Sequence, residues 1–493
     1  MSGAETHAAH APGERRLAPH WRLLPPTLAV AAALLEFTTL GRMFFPDTAA
    51  FVVHGWHAGF NIGFPTVNPA YPLLLDLLCL LLPVGARMTG LVVLQHAGVA
   101  LIPWLVLRCG ERLGRPRSGL LAALLVALHA PLSLFAQSAQ TDSLFAFLLA
   151  WSTFEFVRAL TDPDRRGGWR AGALAAGAMA LRSSGIALVA AGLVALLVSH
   201  PWRERRLLLK FSFGFAVAFA LVLAKNRFDY GRATLVDGDG IHFFCRVAGV
   251  ERSLPRTPEV ERLERAAAAG GMPSLFVPQA GWALHRLLQQ HEYLSGTAAD
   301  DLLREVALSA LFADPWHSTT LTLQSMVRAV GPADVLNYTI GSSVDAASDQ
   351  RHRERTRAAW SASPERMERA LALLPPSTPS AEPGSRAVAL LSHWAQASRR
   401  GGGAWVLVAL VVAGLIGLVR RDPALLFCSG LPVAQLAASA LGEVPFVGHF
   451  DPVVPATWLA LLLAGAALFP HQMRTRFSSA SHIPSPGSTP NAA

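Results

Sequence analysis

The sequence has little charge and almost no lysine. Only 15% of its 493 residues are charged and 52% are hydrophobic, and the mean hydropathy is +0.37. This composition is too apolar for a soluble protein of this length. All basic residues except Lys210 and Lys225 are arginines, which we attribute to a GC-rich genome rather than to nucleic-acid binding. The chain is therefore predicted to be an integral membrane protein that does not bind nucleic acid.

Cysteine is also scarce. Four cysteines are scattered along the chain, and only Cys245 lies in the long polar segment 225–400. A disulfide framework or a cysteine metal site is therefore not expected in that segment. The sequence also has no internal repeat, no heptad pattern, no P-loop and no glycine-rich nucleotide fingerprint.

Apolar runs dominate the rest of the sequence. A membrane-spanning helix needs roughly 17–25 residues, and runs of about that length occur at 23–40, 88–107, 118–135, 141–160, 206–224, 403–420, 423–441 and 453–470. Residues 69–84 are short and contain Pro69, Pro72 and Asp76, which favours an interfacial or partly inserted helix. Residues 171–198 are too long for one span and are broken by RSSG, which predicts a hairpin of two short spans. The total is about ten spans.

The arginines orient these spans, because short basic loops stay on the cytoplasmic side. The basic segments are Arg15 to Arg22, 108–117, 162–170, 200–206 and 420–422. With these inside, the loops 41–68 and 136–142, the hairpin apex 182–185, the loop 443–451 and the segment 225–400 all lie outside. We expect a multi-pass protein of a bacterial inner (plasma) membrane.

The domain organisation follows from these assignments. We predict a cytoplasmic N-terminal segment 1–22, a transmembrane core 23–224 with outer loops 41–68 and 136–142, an extracytoplasmic domain 225–400, C-terminal spans in 401–470 and a disordered cytoplasmic tail 471–493. In the extracytoplasmic domain, 225–247 has short β-like stretches, 276–330 and 351–373 have helical periodicity, and 374–386 is a linker rich in proline and serine. The fold class is a polytopic α-helical membrane protein with interfacial helices and an extracytoplasmic α/β or mainly α domain between late spans.

Ionisable residues gather at the outer ends of these spans. They come from separate parts of the chain and are Asp47, Asp142, Arg182, His449 and Asp451. Each has an ordinary explanation by itself. Asp142 can cap the helix that follows it, Arg182 can extend its head to the interface, and the other three can be solvated loop residues. Their convergence on one side favours a functional site. Glu36 within the first span is a further candidate, because an unpaired acid is costly there.

Several segments, in order, carry a resemblance to a known superfamily. They are PDTAAF, NPAYPLLLDLL, PLSLFAQSAQTDSLFAFLLA, AGALAAGAMALRSSG and GHFDPVVPATWLALLLAG, and within 225–400 also DDLLREVALSALFADPWHS. The chain resembles the GT-C membrane glycosyltransferases, in the branch of protein O-mannosyltransferases and aminoarabinose transferases. The resemblance covers about residues 23–224 and 403–470.

The resemblance implies a membrane-bound transferase that uses a polyprenyl-phosphate-linked sugar. An acceptor hydroxyl on a glycan, lipid or protein would attack the anomeric carbon in one inverting step. Asp47 is then the candidate base, and Asp142 either orients the acceptor or holds a divalent cation such as Mg²⁺ or Mn²⁺. Arg182 and His449 would stabilise the departing phosphate, with Asn68, Tyr71 and Asp451 as further substrate-binding residues.

The sequence departs from the family pattern in three places. The first outer loop has one acid, Asp47, where many relatives have two, the proline-tyrosine motif reads NPAY, and His449 and Phe450 replace an arginine-tyrosine pair. The sugar, the acceptor and the use of a metal therefore stay open. Two other classes also stay open: an O-antigen-type polymerase or ligase, which uses lipid-linked sugars too, and a lipid or solute transporter or flippase, although no inverted repeat is visible.

Overall fold

A computed structural model gives the structure of the protein for residues 17–40, 68–162, 167–199, 205–235, 238–248, 254–276, 280–330, 354, 386–400, 404–442 and 451–468. These residues are mostly helical and contain no strand. The prediction of a mainly helical chain is confirmed.

We number the described α-helices in chain order. The first nine are α1 Pro19–Leu40, α2 Ala70–Leu81, α3 Val84–Arg112, α4 Pro116–Ala127, α5 Ala130–Leu134, α6 Asp142–Thr161, α7 Gly167–Leu181, α8 Ile186–Ser199 and α9 Arg205–Tyr230. The next five are α10 Asp239–Arg246, α11 Pro258–Ala269, α12 Ala280–His291, α13 Gly296–Ala313 and α14 Pro315–Ala329. The last four are α15 Arg386–Arg400, α16 Ala404–Arg420, α17 Pro423–Gly442 and α18 Val454–Leu468.

Several of these helices are apolar enough to cross a membrane. By length and composition, 5 helices among the described residues qualify, or 6 if α4 and the helical segment Ala130–Gln137, which meet at 54°, form one broken span. The helices α2 and α16 and the segment Ser183–Val198 are apolar but shorter. Each predicted span coincides with a helix or with this bent pair, whereas the total of about ten spans stays a prediction.

The long apolar run 171–198 is divided as its sequence indicates. Helix α7 ends at Leu181, a single 3₁₀ turn covers Ser183–Gly185, and α8 begins at Ile186. Glycine at position 185 is required by close packing, because a Cβ there would lie 2.5 Å from the backbone nitrogen of Met179. The run RSSG therefore ends α7 and lets the chain turn back against it.

Glycines allow α7 and α9 to approach at backbone distance. A Cβ on Gly172 would lie 2.0 Å from the carbonyl oxygen of Phe211, and one on Gly214 would lie 2.0 Å from that of Trp169. Small residues at helix crossings are typical of membrane bundles, where close van der Waals contact replaces a hydrophobic driving force. The exposed face of α9 carries Leu209, Phe213 and Leu221, as expected of a helix at the edge of a bundle in lipid.

The polar segment has a helical core of its own. Residues of α10 to α13 form one buried apolar cluster, with Ile241, Phe244 and Leu303 fully buried. Cys245 belongs to this cluster, and burial raises the pKa of its thiol, which suits a packing role rather than a reactive one. Asp300 is buried and accepts the backbone N–H of Ile241 at 2.9 Å.

The prediction of β-like stretches in 225–247 is wrong. Helix α9 continues to Tyr230, and Asp239–Arg246 forms α10. The aromatic and branched residues of IHFFCRV have high strand propensity, but burial at Ile241, Phe244 and Cys245 follows the helical i, i+3, i+4 pattern. Tertiary packing has overridden local propensity. The helical prediction for the described part of 276–330 is confirmed, whereas 351–373 and 374–386 fall, apart from Glu354 and Arg386, outside the described residues.

The crossing of α7 and α9 gives a testable prediction. Gly172→Ala should lower the stability of the protein by about 1–3 kcal/mol, because the added methyl group overlaps a backbone carbonyl that cannot move aside. Gly177→Ala on the same helix is the matched control, since its Cβ would meet only Leu148 at 3.6 Å. Unfolding by sodium dodecyl sulfate in mixed micelles measures both variants, and equal stability of the two would contradict the close crossing.

Candidate functional site

The turn Ser183–Gly185 is the meeting point of four parts of the chain. Arg182 precedes it in an extended conformation, with φ −148° and ψ 131°. This conformation breaks the helical path, so the side chain of Arg182 leaves the face that it would occupy if α7 continued. Side chains that precede α2, begin α6 and lie within α17 contact this turn or Arg182.

Arg182 pairs with Asp142, the first residue of α6. One guanidinium nitrogen of Arg182 lies 2.5 Å from Oδ1 of Asp142, and their side chains are 19% and 15% exposed, respectively. The guanidinium also lies 5.9 Å from the centre of the Phe145 ring, which adds a cation–π contact. The N-cap of α6 is Thr141, without a side-chain capping bond. The Asp142 carboxylate therefore binds the arginine, and the capping interpretation of this residue does not hold.

Asn68 and Gln435 hold the turn from two other sides. The Asn68 amide donates to the carbonyl oxygen of Met179 at 2.8 Å and lies 3.3 Å from the Ser183 hydroxyl. The Gln435 amide donates to the Ser184 hydroxyl at 2.8 Å. These contacts fix the height of the turn relative to α2 and α17.

Tyr71 reaches a neighbouring polar cluster instead. Its hydroxyl is buried and donates to Oε1 of Gln95 at 2.9 Å. The Gln95 amide donates in turn to the carbonyl oxygens of Ala136 and Ser138 at 3.0 and 2.7 Å. Gln95 therefore links α2 to the segment that leads into Asp142.

Asp451 lies in a second buried pair. Its Oδ1 is 3.0 Å from Nε2 of His129, and the two side chains are 2% and 7% exposed. The 3₁₀ turn Asp451–Val453 packs on α6, the same helix that begins with Asp142. Glu36 is also buried and accepts the Ser133 hydroxyl at 2.8 Å. The turn that contains Asp451 and the helix α5 that contains Ser133 thus both pack on α6.

The structure brings some of the sequence-predicted residues together. Asp142, Arg182 and Asn68 meet at the Ser183–Gly185 turn, Tyr71 joins the adjacent Gln95 cluster, and Asp451 pairs with His129. Asp47 and His449 lie outside the described residues.

The described residues do not fit a divalent cation. They contain no group of three or more histidine, cysteine or acidic side chains that could hold a metal. Asp142, the candidate ligand, is bonded to a guanidinium, and this neighbouring positive charge repels a cation. Magnesium and calcium sites are built from several oxygen ligands, which one engaged carboxylate does not supply.

Sequence reasoning missed Gln95 and His129. Gln95 stands beside His96 in LQHAG and His129 stands alone in LHAPL, both within apolar runs, where they look like background. The available signal was the free-energy cost of burying a polar side chain in an apolar bundle, because such a group needs a hydrogen-bond partner. The same argument singled out Glu36 but was not extended to neutral side chains.

One part of the chain matches the model of a known protein family. Residues 66–226 match the model of the dolichyl-phosphate-mannose-protein mannosyltransferase family. The predicted resemblance to GT-C glycosyltransferases is confirmed. The matched segment contains Asn68, Tyr71, Asp142 and Arg182. The comparison with curated protein sequences gave no match.

Solved structures of one archaeal enzyme are also similar to this chain. The oligosaccharyltransferase AglB from Archaeoglobus fulgidus, in complex with an inhibitory peptide and a dolichol-phosphate, has 13% identity and a TM-score of 0.39, with 96% of this chain and 53% of that chain covered. The enzyme from the same organism tethered to an acceptor peptide with the NVT sequon has 14% identity and a TM-score of 0.43, with coverage of 95% and 52%. The chain spans about half the length of these enzymes.

The Asp142–Arg182 pair gives a second prediction. Asp142→Ala and Arg182→Ala should each destabilise the protein, and the double variant should cost less than their sum by about 1–3 kcal/mol, because each single variant leaves a charge without its partner. Unfolding in mixed micelles measures this coupling. The more exposed pair Arg262–Glu292 is the control, with a smaller expected coupling of about 0.5 kcal/mol. Additive effects at 142 and 182 would show that the two side chains do not interact.

Proposed function

We propose that the protein is a membrane glycosyltransferase that moves a sugar from a polyprenyl-phosphate donor to an extracytoplasmic acceptor. One observation carries the proposal. Asp142 and Arg182, forty residues apart, form an ion pair at a helix break inside the one segment that matches a mannosyltransferase family. This arrangement holds a guanidinium in a fixed orientation at the end of an apolar bundle, where the phosphate of a lipid-linked substrate would lie.

Arg182 would bind the phosphate that leaves during transfer. Its planar guanidinium can contact a carboxylate on one edge and a phosphate on another, so Asp142 would orient it without occupying all of it. Negative charge increases on the phosphate as the glycosidic bond breaks, and a fixed cation stabilises that charge most in the transition state. Asp142 is 15% exposed and would also contact the acceptor.

The remaining roles are based on those predicted from the sequence. Asp47 would accept the proton of the acceptor hydroxyl, and His449 would add a donor near the phosphate. Asn68 would act by holding the Ser183–Gly185 turn. Tyr71 donates a hydrogen bond to Gln95, and Asp451 pairs with His129. Both would therefore hold the protein around the site in position. The reaction would be a single displacement with inversion at the anomeric carbon.

The role of Arg182 can be tested by substitution with lysine. Arg182→Lys keeps the charge but removes the planar fork, so transfer should fall about tenfold or more, although by less than the roughly 10²–10³-fold typical of deleting an oxyanion donor outright. A transferase assay in detergent with a polyprenyl-phosphate sugar measures the effect. Arg158→Lys, in the ion pair at the other end of α6, is the matched control and should keep wild-type activity. Full activity of Arg182→Lys would leave this residue with a structural role only.

Asp47 gives a separate prediction. Asp47→Asn keeps the size of the side chain but removes the proton acceptor, so turnover should fall by about 10²-fold or more while binding of the lipid-linked sugar changes little. Asp162→Asn, just beyond the other end of α6, controls for the loss of one carboxylate. Wild-type turnover by Asp47→Asn would remove its catalytic role. Accumulation of a substrate in vesicles without sugar transfer would move the whole protein to the transporter class.

A further inference from the structure

Helix α14, Pro315–Ala329, buries several hydroxyl groups and exposes several large apolar side chains. Its buried face includes Ser318, Thr322 and Ser325, which are 7%, 7% and 3% exposed. Its outer face includes Trp316, Leu323 and Val327, which are 80%, 56% and 40% exposed. Isolated exposed apolar residues are common on any protein. A helix that buries its hydroxyls and exposes its large apolar side chains is suited to an apolar surrounding.

The outward hydroxyls of α14 support the same reading. Thr319 donates to the carbonyl oxygen of Pro315 at 2.7 Å, and Thr320 donates to that of Trp316 at 2.9 Å. Both are exposed, yet both satisfy their hydroxyl hydrogen within their own helix. Such back-bonding to the preceding turn lets a threonine face a medium that offers no acceptor.

The position of α14 places it beside the spans. Met326 and Ala329 share one apolar cluster with Leu436 and Ala440 of α17, and Val433 packs against that cluster. Val433 lies about 10 Å from Ala440 along α17, at ~1.5 Å per residue, inside the candidate span Pro423–Ala440. The C-terminal half of α14 therefore lies at the level of the apolar part of α17.

One inward hydroxyl of α14, that of Thr322, has a partner that explains its burial. Arg246 of α10 is fully buried and donates to the Thr322 hydroxyl at 3.1 Å and to the carbonyl oxygen of Ala440 at 2.9 Å. This arginine joins α10, α14 and α17 at one point. It therefore fixes which face of α14 points inward and leaves the apolar face outward.

We propose that α14 is an interfacial membrane helix whose face of Trp316, Leu323 and Val327 lies in lipid, in the leaflet at the Gly442 end of α17. Its charges are compatible with that surface. Between Pro315 and Ala329 there is no acidic residue, and Arg328 is exposed in the last turn, where it can reach lipid phosphates while its stem stays in the apolar layer. Phe312, near the end of the preceding helix α13, is also 73% exposed. This inference concerns lipid contact alone and does not depend on the proposed transferase activity.

Fluorescence quenching in proteoliposomes tests the proposal. Single cysteines, Leu323→Cys and Val327→Cys, are made in a Cys79→Ser background, since the other native cysteines are buried, and are labelled with the environment-sensitive dye NBD. We expect strong quenching by nitroxide-bearing phospholipids, weak quenching by aqueous iodide and a blue-shifted emission at both positions. Two positions on the same face keep the test valid if one variant does not insert.

Two reference positions calibrate the measurement. Leu221→Cys on α9, within a candidate span and 67% exposed, gives the signal of a lipid-facing site. Arg265→Cys on α11, exposed on the helical domain, gives the signal of a water-facing site. Positions 323 and 327 should match position 221. Iodide quenching like that of position 265 would place this face of α14 in water. Protection from both quenchers would show that protein covers it. Either result would overturn the proposal.

Discussion

An arginine keeps its positive charge in a protein, and the geometry of the helix bundle around Arg182 follows from that constraint. A guanidinium near an apolar bundle must have a counter-charge, because desolvating it alone is costly. Asp142 supplies that charge from the first residue of α6. The pair therefore sets the height of α6 relative to α7, and the break after Leu181 gives the arginine the extended backbone from which it reaches the carboxylate.

A second constraint comes from the break between α4 and α5. A bent span leaves backbone groups without helical partners, and in an apolar surrounding other parts of the protein must satisfy them. Gln95 of α3 binds the carbonyl oxygens of Ala136 and Ser138. Glu36 of α1 and Asp451 contact side chains of the same stretch, Ser133 and His129. The buried polar residues next to the candidate site thus also hold the irregular segment that leads to Asp142.

The sequence predicted much of this arrangement and missed specific parts of it. The hairpin at RSSG was predictable because an apolar run of that length with an arginine inside cannot be one span. The location of ionisable residues at the outer ends of the spans indicated Asp142 and Arg182 as site residues. It did not predict the contact between them, since no periodicity relates positions in different helices. Gln95 and His129 were missed because one or two polar residues in an apolar run leave its hydropathy pattern almost unchanged. The helix Asp239–Arg246 was mistaken for strand because its buried partners in α13 are far away in sequence.

Helix α17 connects the candidate site to the helical domain. Gln435 binds Ser184 in the turn after Arg182, and Ala440, farther along the same helix, accepts a hydrogen bond from the buried Arg246. The two contacts are about 8 Å apart along the axis, at ~1.5 Å per residue, and an intact helical segment of that length is stiff. A shift of α10 or α14 relative to the bundle would therefore move Ser184, and with it the backbone that positions Arg182. The anchoring of the domain and the geometry of the Asp142–Arg182 pair are in this way parts of one rigid connection.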